Sequence, residues 1–415
     1  MSTRTAEEVE AEVGAWIDEN WDPDLRVGEW WQMLADKGYA HPMLPEEAGG
    51  LGWSRDLAQA VLRALASRDA LGPPTGLGMM LAAPTIAAHG TPEQIQEFVP
   101  PILNGQQAWC QLFSEPGAGS DLAGLQARAE QDGDEWIVNG QKVWTSGGQV
   151  ADMGMLIART DPDLPQHQGI TYFACEMHQE GIDVRPLTEM TGRAMFNEVF
   201  LTDARVSDDA MIGGKSNGWR VANTTLMFER SHLGSGTVPV ASAGAGTVQG
   251  HLDRRAGDFT VRKGGDQGVP PIGPALFDRL VELSQKLGRN EDPVLRDQLV
   301  KLYELVTVNR LNMLRAKTGQ GRTGGEGNIG KLMVSELFRQ FREVGNTVIG
   351  ADGMLAGSDS SVAGWVSEVT LFSPGPAIYG GTDQVQRNII GERVLGLPKE
   401  PGPGKETPFK DLPKN

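Results

Sequence analysis

The chain has 415 residues, of which 39% are hydrophobic and 22% charged, so it has the composition of a globular protein and the length for two or three domains. Its net charge of −17 argues against nucleic acid and against an anionic membrane surface as partners. With two cysteines, six histidines and no Cys-x-x-Cys pair, no metal site is expected, and a reducing compartment fits better than a disulfide framework, although one disulfide is formally allowed.

The N-terminal part of the chain is predicted to be helical over residues 6–108. Its first twenty residues contain no apolar signal core, and no apolar run in the chain reaches the ~18 residues of a transmembrane helix. Thr91 followed by Pro92 is a typical N-cap and first-turn pair, so a helix is expected to begin at Pro92. We therefore predict an N-terminal helical domain over residues 1–108 of a cytoplasmic protein.

The middle of the chain changes to short runs rich in β-forming residues. Turn residues bracket these runs, as expected for strands of a compact antiparallel sheet or barrel. The predicted middle β domain covers residues 109–213. Its clearest strands are expected at residues 135–138, 153–158, 170–175, 182–186 and 197–201.

Helical periodicity returns at Gly218 and predicts a C-terminal helical domain over residues 214–398. Asp292-Pro293 is a good helix start, and a further helix is expected over residues 328–349. Residues 256–273 read as a flexible loop, and residues 399–415 as a mobile tail. The expected face of the long helix after Pro293 consists of Leu299, Tyr303, Val306, Arg310 and Leu314, widened by Leu295, Leu302 and Leu305.

Two turns of small residues stand out in the middle domain. The first, SEPGAGSD at residues 114–121, offers backbone N–H groups and a hydroxyl to a bulky anionic group. The second, WTSG at residues 144–147, places a flat indole beside a hydroxyl, which suits a flat heteroaromatic ring. Either turn taken alone is equally well an ordinary loop.

Together, at this spacing, the two turns closely resemble the flavin-binding signature of the acyl-CoA dehydrogenase family. The resemblance runs from about residue 29 to residue 398. It implies an α+β fold with an N-terminal helical domain, a middle β-barrel or sheet domain and a C-terminal four-helix bundle. It also implies FAD-dependent oxidation of an acyl-CoA thioester to 2-enoyl-CoA, with electrons leaving through an electron-transfer flavoprotein.

The resemblance implies FAD contacts at eight positions in both the middle and C-terminal domains. These are Phe113 and Ser114 along the isoalloxazine, Gly119 and Ser120 in the turn whose serine hydroxyl meets the pyrophosphate, Trp144 and Ser146 at the dimethylbenzene and N5 side, and Thr382 and Gln384 from the C-terminal domain.

Dehydrogenation between Cα and Cβ also needs a base for the α-proton, typically a carboxylate in an apolar pocket that raises its pKa. In much of the family this base is the glutamate of a Tyr-Glu-Gly-Thr turn, but here the turn reads Tyr379-Gly380-Gly381-Thr382. A branch that includes the isovaleryl- and long-chain enzymes instead carries the base on a helix before an arginine, which matches Glu229-Arg230. Glu229 is thus the expected base, with Arg230, Gly380 and Gly381 at the substrate site. The alternative is that Glu229 and Arg230 form a surface charge pair.

The sequence also departs from the family pattern. An Arg-x-x-Phe-Gly segment, which reaches a neighbouring subunit's FAD, has no match near residues 250–275, where Arg255 and Arg262 are the available substitutes. The Gln-x-x-Gly-Gly motif is altered at residues 347–353. Some actinobacterial relatives are heterotetramers with shared flavins, so the chain is expected to form a homo- or hetero-oligomer, a dimer or a tetramer.

Two rival functions stay open at this point. One is a flavin monooxygenase or nitroalkane oxidase on the same fold, and the other is a non-catalytic or half-site partner subunit. The acyl group is open as well, among steroid side chains, branched acyl groups and plain fatty acyl groups.

Overall fold

The computed structural model describes residues 4–233, 238–260, 272–318, 323–355, 357–360, 364–399, 401 and 406–413. The chain divides into two compact units. The first unit comprises Met1–Thr188, Ala194–Arg262 and Gly402–Asn415, and the second comprises Glu189–Arg193 and Lys263–Pro401.

The first unit begins with helices whose starts follow local capping signals. The side chain of Thr91 accepts from the backbone N–H of Gln94, whose own side chain accepts from the backbone N–H of Thr91, so the predicted start at Pro92 is confirmed. A π-helical turn, Gly78–Ala82, precedes the fourth helix. The helices are α1 Ala6–Asn20, α2 Val27–Asp36, α3 Arg55–Ala66, α4 Ala83–His89 and α5 Pro92–Leu103.

Two tryptophans of α2 form the centre of this helical layer. Trp30 and Trp31 are fully buried, and their indole N–H groups donate to the carbonyls of Leu71 (2.6 Å) and Gly72 (2.9 Å). Gly105, after α5, has φ +75°, and a Cβ there would lie 2.1 Å from the Trp31 ring. Because a side chain fits neither this backbone conformation nor this space, the layer requires glycine at that position.

A mixed sheet also belongs to the first unit. In the described part of the chain its order is β6-β7-β3-β2-β4-β5-β8, with β1 paired to β4. All five predicted strand runs lie within strands, although β7 is longer than expected. The strands are β1 Trp109–Leu112, β2 Arg128–Asp132, β3 Glu135–Lys142, β4 Met153–Arg159, β5 Ile170–Glu176, β6 Ile182–Leu187, β7 Phe196–Ser207 and β8 Met211–Ile212.

The expectation of an antiparallel sheet is wrong for two strand pairs. Strand β1 pairs with β4 in parallel, with Trp109 opposite Met153, and β2 meets β4 in parallel at Arg128 and Arg159. Parallel neighbours need a long crossover connection, and here the crossover from β1 to β4 contains both small-residue turns. The topology therefore places the two turns in the same connection.

Helix α6, Gly218–Leu233, packs against β5, α4 and the π-helical turn. Its residues Val221, Ala222 and Thr225 are fully buried, which gives it one apolar face toward the first unit. It belongs to this unit, although it follows the domain boundary predicted at residue 213.

In the second unit four helices, α7 to α10, pack around a shared apolar core, and α11 packs on α9. Helix α8 begins at Pro293 and α9 ends before Gly350, which has φ +57°, so both predicted ends are confirmed. The helices are α7 Pro274–Lys286, α8 Pro293–Thr318, α9 Glu326–Ile349, α10 Trp365–Phe372 and α11 Asp383–Ile389.

The predicted core face of α8 is only partly correct. Its residues Leu295, Leu299, Leu302 and Val306 are buried in the second unit. Three other members of that face are exposed, namely Tyr303, Arg310 and Leu314. Tyr303 and Leu314 belong to a second, exposed apolar stripe of α8. The sequence periodicity had assigned the residues of both stripes to a single face of the helix.

The expectation of a mobile tail is wrong for residues 406–413. The backbone N–H of Phe409 donates to the carbonyl of Leu164 (2.9 Å), and its ring centroid lies 3.6 Å from the guanidinium carbon of Arg159. This cation–π contact with a buried arginine fixes the segment on the first unit. Of the loop expected at residues 256–273, Ala256–Phe259 forms a 3₁₀ turn, and residues 261–271 lie outside the described part.

Within the described ranges, no helix combines the length and apolarity needed to cross a membrane.

Candidate active site

The structure brings the two small-residue turns side by side. The backbone N–H of Val143 donates to the carbonyl of Ser114 (2.9 Å), and the Lys142 ammonium donates to the carbonyl of Phe113 (3.1 Å). The end of β3, which leads into Trp144, is therefore bonded to the residues that open the first turn. These bonds bring the two turns next to each other, with Phe113 itself buried beneath them.

The first turn is closed tightly and leaves open space above it. Glu115 and Ala118 exchange two backbone hydrogen bonds of 3.1 Å each. A Cβ built on Gly117 or Gly119 would meet nothing within 4 Å, and Gly119 and Ser120 are exposed. Such a cradle fits an anionic group like a pyrophosphate, which exposed turn amides and a hydroxyl can bind.

The second turn holds Trp144 in an unusual conformation. Its φ is +61°, in the left-handed region that a bulky residue seldom adopts, and its side chain is 58% exposed with the ring edge-on to Phe196. Thr145 and Asn197 exchange backbone hydrogen bonds of 3.0 Å, which hold the turn against β7. Strained, exposed aromatic residues of this kind occur at ligand sites, and an indole face offers a flat ring a place to stack. Ser146 follows, half-buried.

Three polar groups at this surface were not found from the sequence. The Thr145 hydroxyl oxygen is buried and has no hydrogen-bond partner among the described residues. Glu115 and Lys142 form a buried ion pair with a distance of 2.8 Å. Strand alternation could have predicted that Lys142 is buried, since it shares one face of β3 with Trp136 and Val138, which are both buried.

The expected base, Glu229, continues the buried face of α6. It follows Thr225 by one helical turn and Val221 by two, and both of those residues are fully buried. Glu229 itself is half-buried, and Phe228 beside it packs against the core of the first unit. The side chain of Arg230 lies outside the described part of the chain.

A buried network of hydroxyl groups connects α6 to the first turn. The Thr225 hydroxyl oxygen lies 3.0 Å from that of Thr85 on α4 and 3.4 Å from that of Tyr172 on β5. The Tyr172 ring is edge-on to Phe113, with centroids 6.0 Å apart. Burial raises the pKa of Tyr172, so its phenol stays neutral. Phe113 is therefore joined by direct contacts to the helix turn that precedes Glu229.

In the second unit, the Tyr379-Gly380-Gly381-Thr382 turn is held by hydrogen bonds to residues of α11. Gly380 and Gly381 have φ of +64° and +81°, and the side-chain amide of Gln386 donates to the Gly380 carbonyl (2.7 Å). The Thr382 hydroxyl accepts from the backbone N–H of Val385, so it caps α11. Gln384 is exposed. These predicted site residues lie in the second unit, and the others lie in the first.

Asp383, next to that turn, is buried in an ionic network. It accepts from Lys331 (3.1 Å) and from Arg339. Burial alone would raise the pKa of Asp383, but hydrogen bonds from Arg339 and Lys331 hold it below its ordinary value. The carboxylate therefore stays charged and ties the start of α11 to α9.

The two cysteines, Cys110 and Cys175, are free and buried. Burial raises the pKa of Cys175 to about 12 and raises that of Cys110 as well, so neither thiol is a nucleophile here. In the described part of the chain, no three His, Cys, Asp or Glu side chains are grouped to hold a metal ion.

Comparison with known proteins gives a consistent result along the chain. Models of the acyl-CoA dehydrogenase N-terminal domain, middle domain and C-terminal domain match residues 2–106, 110–204 and 275–395, respectively. The acyl-CoA dehydrogenase IpdE1 of Mycobacterium tuberculosis (strain ATCC 25618 / H37Rv) is 36% identical over 377 residues, which cover 89% of this chain and 88% of that protein.

Solved structures share the fold. The ChsE4-ChsE5 complex from Mycobacterium tuberculosis matches with a TM-score of 0.67 and 25% identity, covering 96% of this chain and 100% of the matched chain. The Tcur3481-Tcur3483 steroid ACAD matches with a TM-score of 0.69 and 24% identity over the same shares of the two chains.

Proposed function

This chain belongs to the acyl-CoA dehydrogenase family, and we propose that Glu229 is the base with which it dehydrogenates an acyl-CoA thioester to 2-enoyl-CoA. The family makes it an FAD-dependent oxidoreductase acting on acyl-CoA. The observation that supports the base is the position of Glu229, half-buried at the end of the apolar face of α6.

The middle-domain residues suit FAD. The exposed indole of Trp144 offers a stacking face, and the open space above Gly117 and Gly119 accommodates a diphosphate beside Ser120. When bound, FAD supplies the acceptor for the hydride that leaves Cβ, which no side chain can supply. Phe113 is buried next to the first turn and contacts Tyr172, which contacts Thr225 of α6.

Glu229 removes the α-proton of the thioester. The residues that precede it on the buried face of α6, Val221, Ala222 and Thr225, are apolar or hydroxyl side chains. Gly380 provides no acid at the other base position of the family, so the reaction depends on Glu229. Retention of an acid at one of the two positions argues against a monooxygenase and against a non-catalytic subunit.

The reaction is tested by mixing the FAD-bound protein anaerobically with straight-chain, branched and steroid side-chain acyl-CoA thioesters. We expect at least one class to bleach the visible flavin absorbance and to yield a product lighter by two hydrogens. The measurement is made on the chain alone and on the chain co-purified with the product of a neighbouring gene, because FAD retention by the isolated chain is expected to be weak. Flavin that stays oxidised with every thioester but is reduced by a nitroalkane would favour the rival oxidase.

We also propose that the chain assembles through the outer face of α8. Large apolar side chains lie exposed along one side of this helix, from Val300 and Tyr303 to Leu311 and Leu314. Such a stripe on a long helix is typical of a surface that packs against another helix. The similar ChsE4-ChsE5 structure is that of a complex, which supports a homo- or hetero-oligomer here. We further propose that an electron-transfer flavoprotein accepts the electrons from the reduced flavin.

Leu311→Lys is expected to weaken this assembly at least ~10-fold, because a charge would be placed in the middle of an apolar interface. Light scattering at a fixed protein concentration measures the change. The control is Lys301→Gln, an exposed residue of the same helix outside the apolar stripe, which should leave the dimer or tetramer unchanged. A wild-type chain that is a stable, fully flavinated monomer would contradict the proposal.

A further inference from the structure

We propose that the buried ion pair between Glu115 and Lys142 is a positioning pair, which holds the two flavin-binding turns in the single arrangement that FAD requires. The inference rests on the proposed placement of FAD at these turns and concerns two residues outside the implied set of flavin contacts.

Lys142 connects the end of β3 to the first turn. Its side chain is completely buried, and its ammonium lies 2.8 Å from a Glu115 carboxylate oxygen and 3.1 Å from the Phe113 carbonyl oxygen. Two residues later the chain reaches Trp144. One side chain therefore joins the residue before the first turn to the strand that presents the second.

Glu115 closes the first turn from the inside. Its two carboxylate oxygens accept from the backbone N–H groups of Gln126 (2.6 Å) and Ala127 (2.9 Å), in addition to Lys142. The loop from 115 to 127, which contains Gly119 and Ser120, is thereby held at both ends by one buried side chain. The position of the Glu115 carboxylate therefore helps to fix the loop proposed to bind the diphosphate of FAD.

An ion pair of this kind is a poor device for stability alone. Burial lowers the pKa of Lys142, and the charge of Glu115 opposes that shift. Replacing both members of a buried pair with uncharged residues of similar volume is often neutral for stability, whereas removing one member leaves a buried charge unpaired. What apolar residues cannot supply is the hydrogen bond that Lys142 donates to the Phe113 carbonyl.

Trp144 shows why such a contact matters. Its left-handed backbone persists only if the surrounding structure holds it, and Lys142 anchors the residues that precede it. Without the pair, the two turns keep the Val143–Ser114 hydrogen bond (2.9 Å) but lose the contacts of Lys142, so their relative placement is less firmly fixed while both strands stay paired. The folded domain would then survive with a misplaced stacking surface.

The test is the double variant Glu115→Gln/Lys142→Met, compared with the wild type in the full chain and in any stable complex that it forms. We expect the double variant to fold with a lowered urea midpoint, because a backbone N–H group and the Phe113 carbonyl lose their partners. In the folded protein we expect the FAD dissociation constant to rise at least ~10-fold and the visible circular dichroism of bound FAD to change. The matched control is Glu135→Gln/Arg205→Gln, an exposed pair at 2.7 Å in the same sheet, which should alter neither flavin measurement.

Wild-type FAD affinity and an unchanged flavin spectrum in the double variant would overturn the proposal and leave the pair a stabilising contact only. If the double variant does not fold, Glu115→Asp keeps the charge but shortens the reach. Its flavin spectrum should change, and an unchanged spectrum would overturn the proposal. Absence of FAD binding by the wild type would remove both the flavin placement and this inference, whereas bound FAD without acyl-CoA oxidation would refute only the proposed reaction.

Discussion

Glu229→Gln is expected to leave FAD bound while flavin reduction by acyl-CoA slows by ~10²–10⁴-fold or more. Glutamine keeps the size and hydrogen-bonding capacity of the side chain at the end of the buried face of α6 but cannot take up a proton. The rate loss should exceed the usual range if the site has no other base, since Gly380 carries no acid. Anaerobic stopped-flow spectroscopy of the FAD-bound protein measures the rate directly.

The control for this variant is Glu130→Gln on β2, where the carboxylate is exposed and pairs with Arg128. Its reduction rate and flavin content should match those of the wild type. Near-normal reduction in Glu229→Gln would exclude this residue as the base and point to another acid. Loss of FAD in that variant would show a structural role and favour the ordinary ion pair with Arg230.

Placing a glutamate at residue 380, the other base position of the family, is an independent test of Glu229 as the base. Gly380→Glu in the Glu229→Gln background is expected to restore part of the lost rate. Recovery should be incomplete, because Gly380 has φ +64° and a side chain in the left-handed region costs about 1–2 kcal/mol. Stopped-flow rates of the double variant and of Glu229→Gln give the fraction restored.

Much of the fold was predictable because its signals are local. Thr91-Pro92 and Asp292-Pro293 set helix starts through side-chain capping and the fixed φ of proline, and Gly350 ends α9 with a positive φ. The parallel pairing of β1 with β4 has no such signal. It depends on a contact between residues about forty positions apart, which alternation within each strand does not encode.

In the candidate site, too, features with local sequence signals were predictable and features that depend on distant contacts were not. The two turns are recognisable because each is a short, continuous segment whose residue types fit the part of FAD proposed to bind there. The Glu115–Lys142 pair was not found, because a charged residue in a sequence reads as exposed until its strand partner and burial are known. The two apolar stripes of α8 were merged for a related reason, since apolar periodicity does not say which face meets the core and which faces outward.

Asp383→Ala is expected to lower the free energy of unfolding of the second unit by about 3 kcal/mol. The carboxylate is almost completely buried, and its removal leaves Lys331 and Arg339 without the acceptor that both share. The matched control is Asp297→Ala, which breaks an exposed pair with Lys301 on α8 and should cost no more than about 0.5 kcal/mol. Urea unfolding at neutral pH gives both values, and equal small losses would contradict the buried network.

The pH dependence separates the charge of Asp383 from its packing. Because the folded-state pKa of Asp383 lies below its ordinary value of 3.8, its stabilisation is fully present above that value and is lost as the pH falls through the folded pKa. The difference in unfolding free energy between wild type and Asp383→Ala should therefore shrink once the pH drops below about 3.8. A difference that persists unchanged in acid would assign the loss to packing. If the charge is responsible, the start of α11, which carries Thr382 and Gln384, is fixed by an anion between two cations.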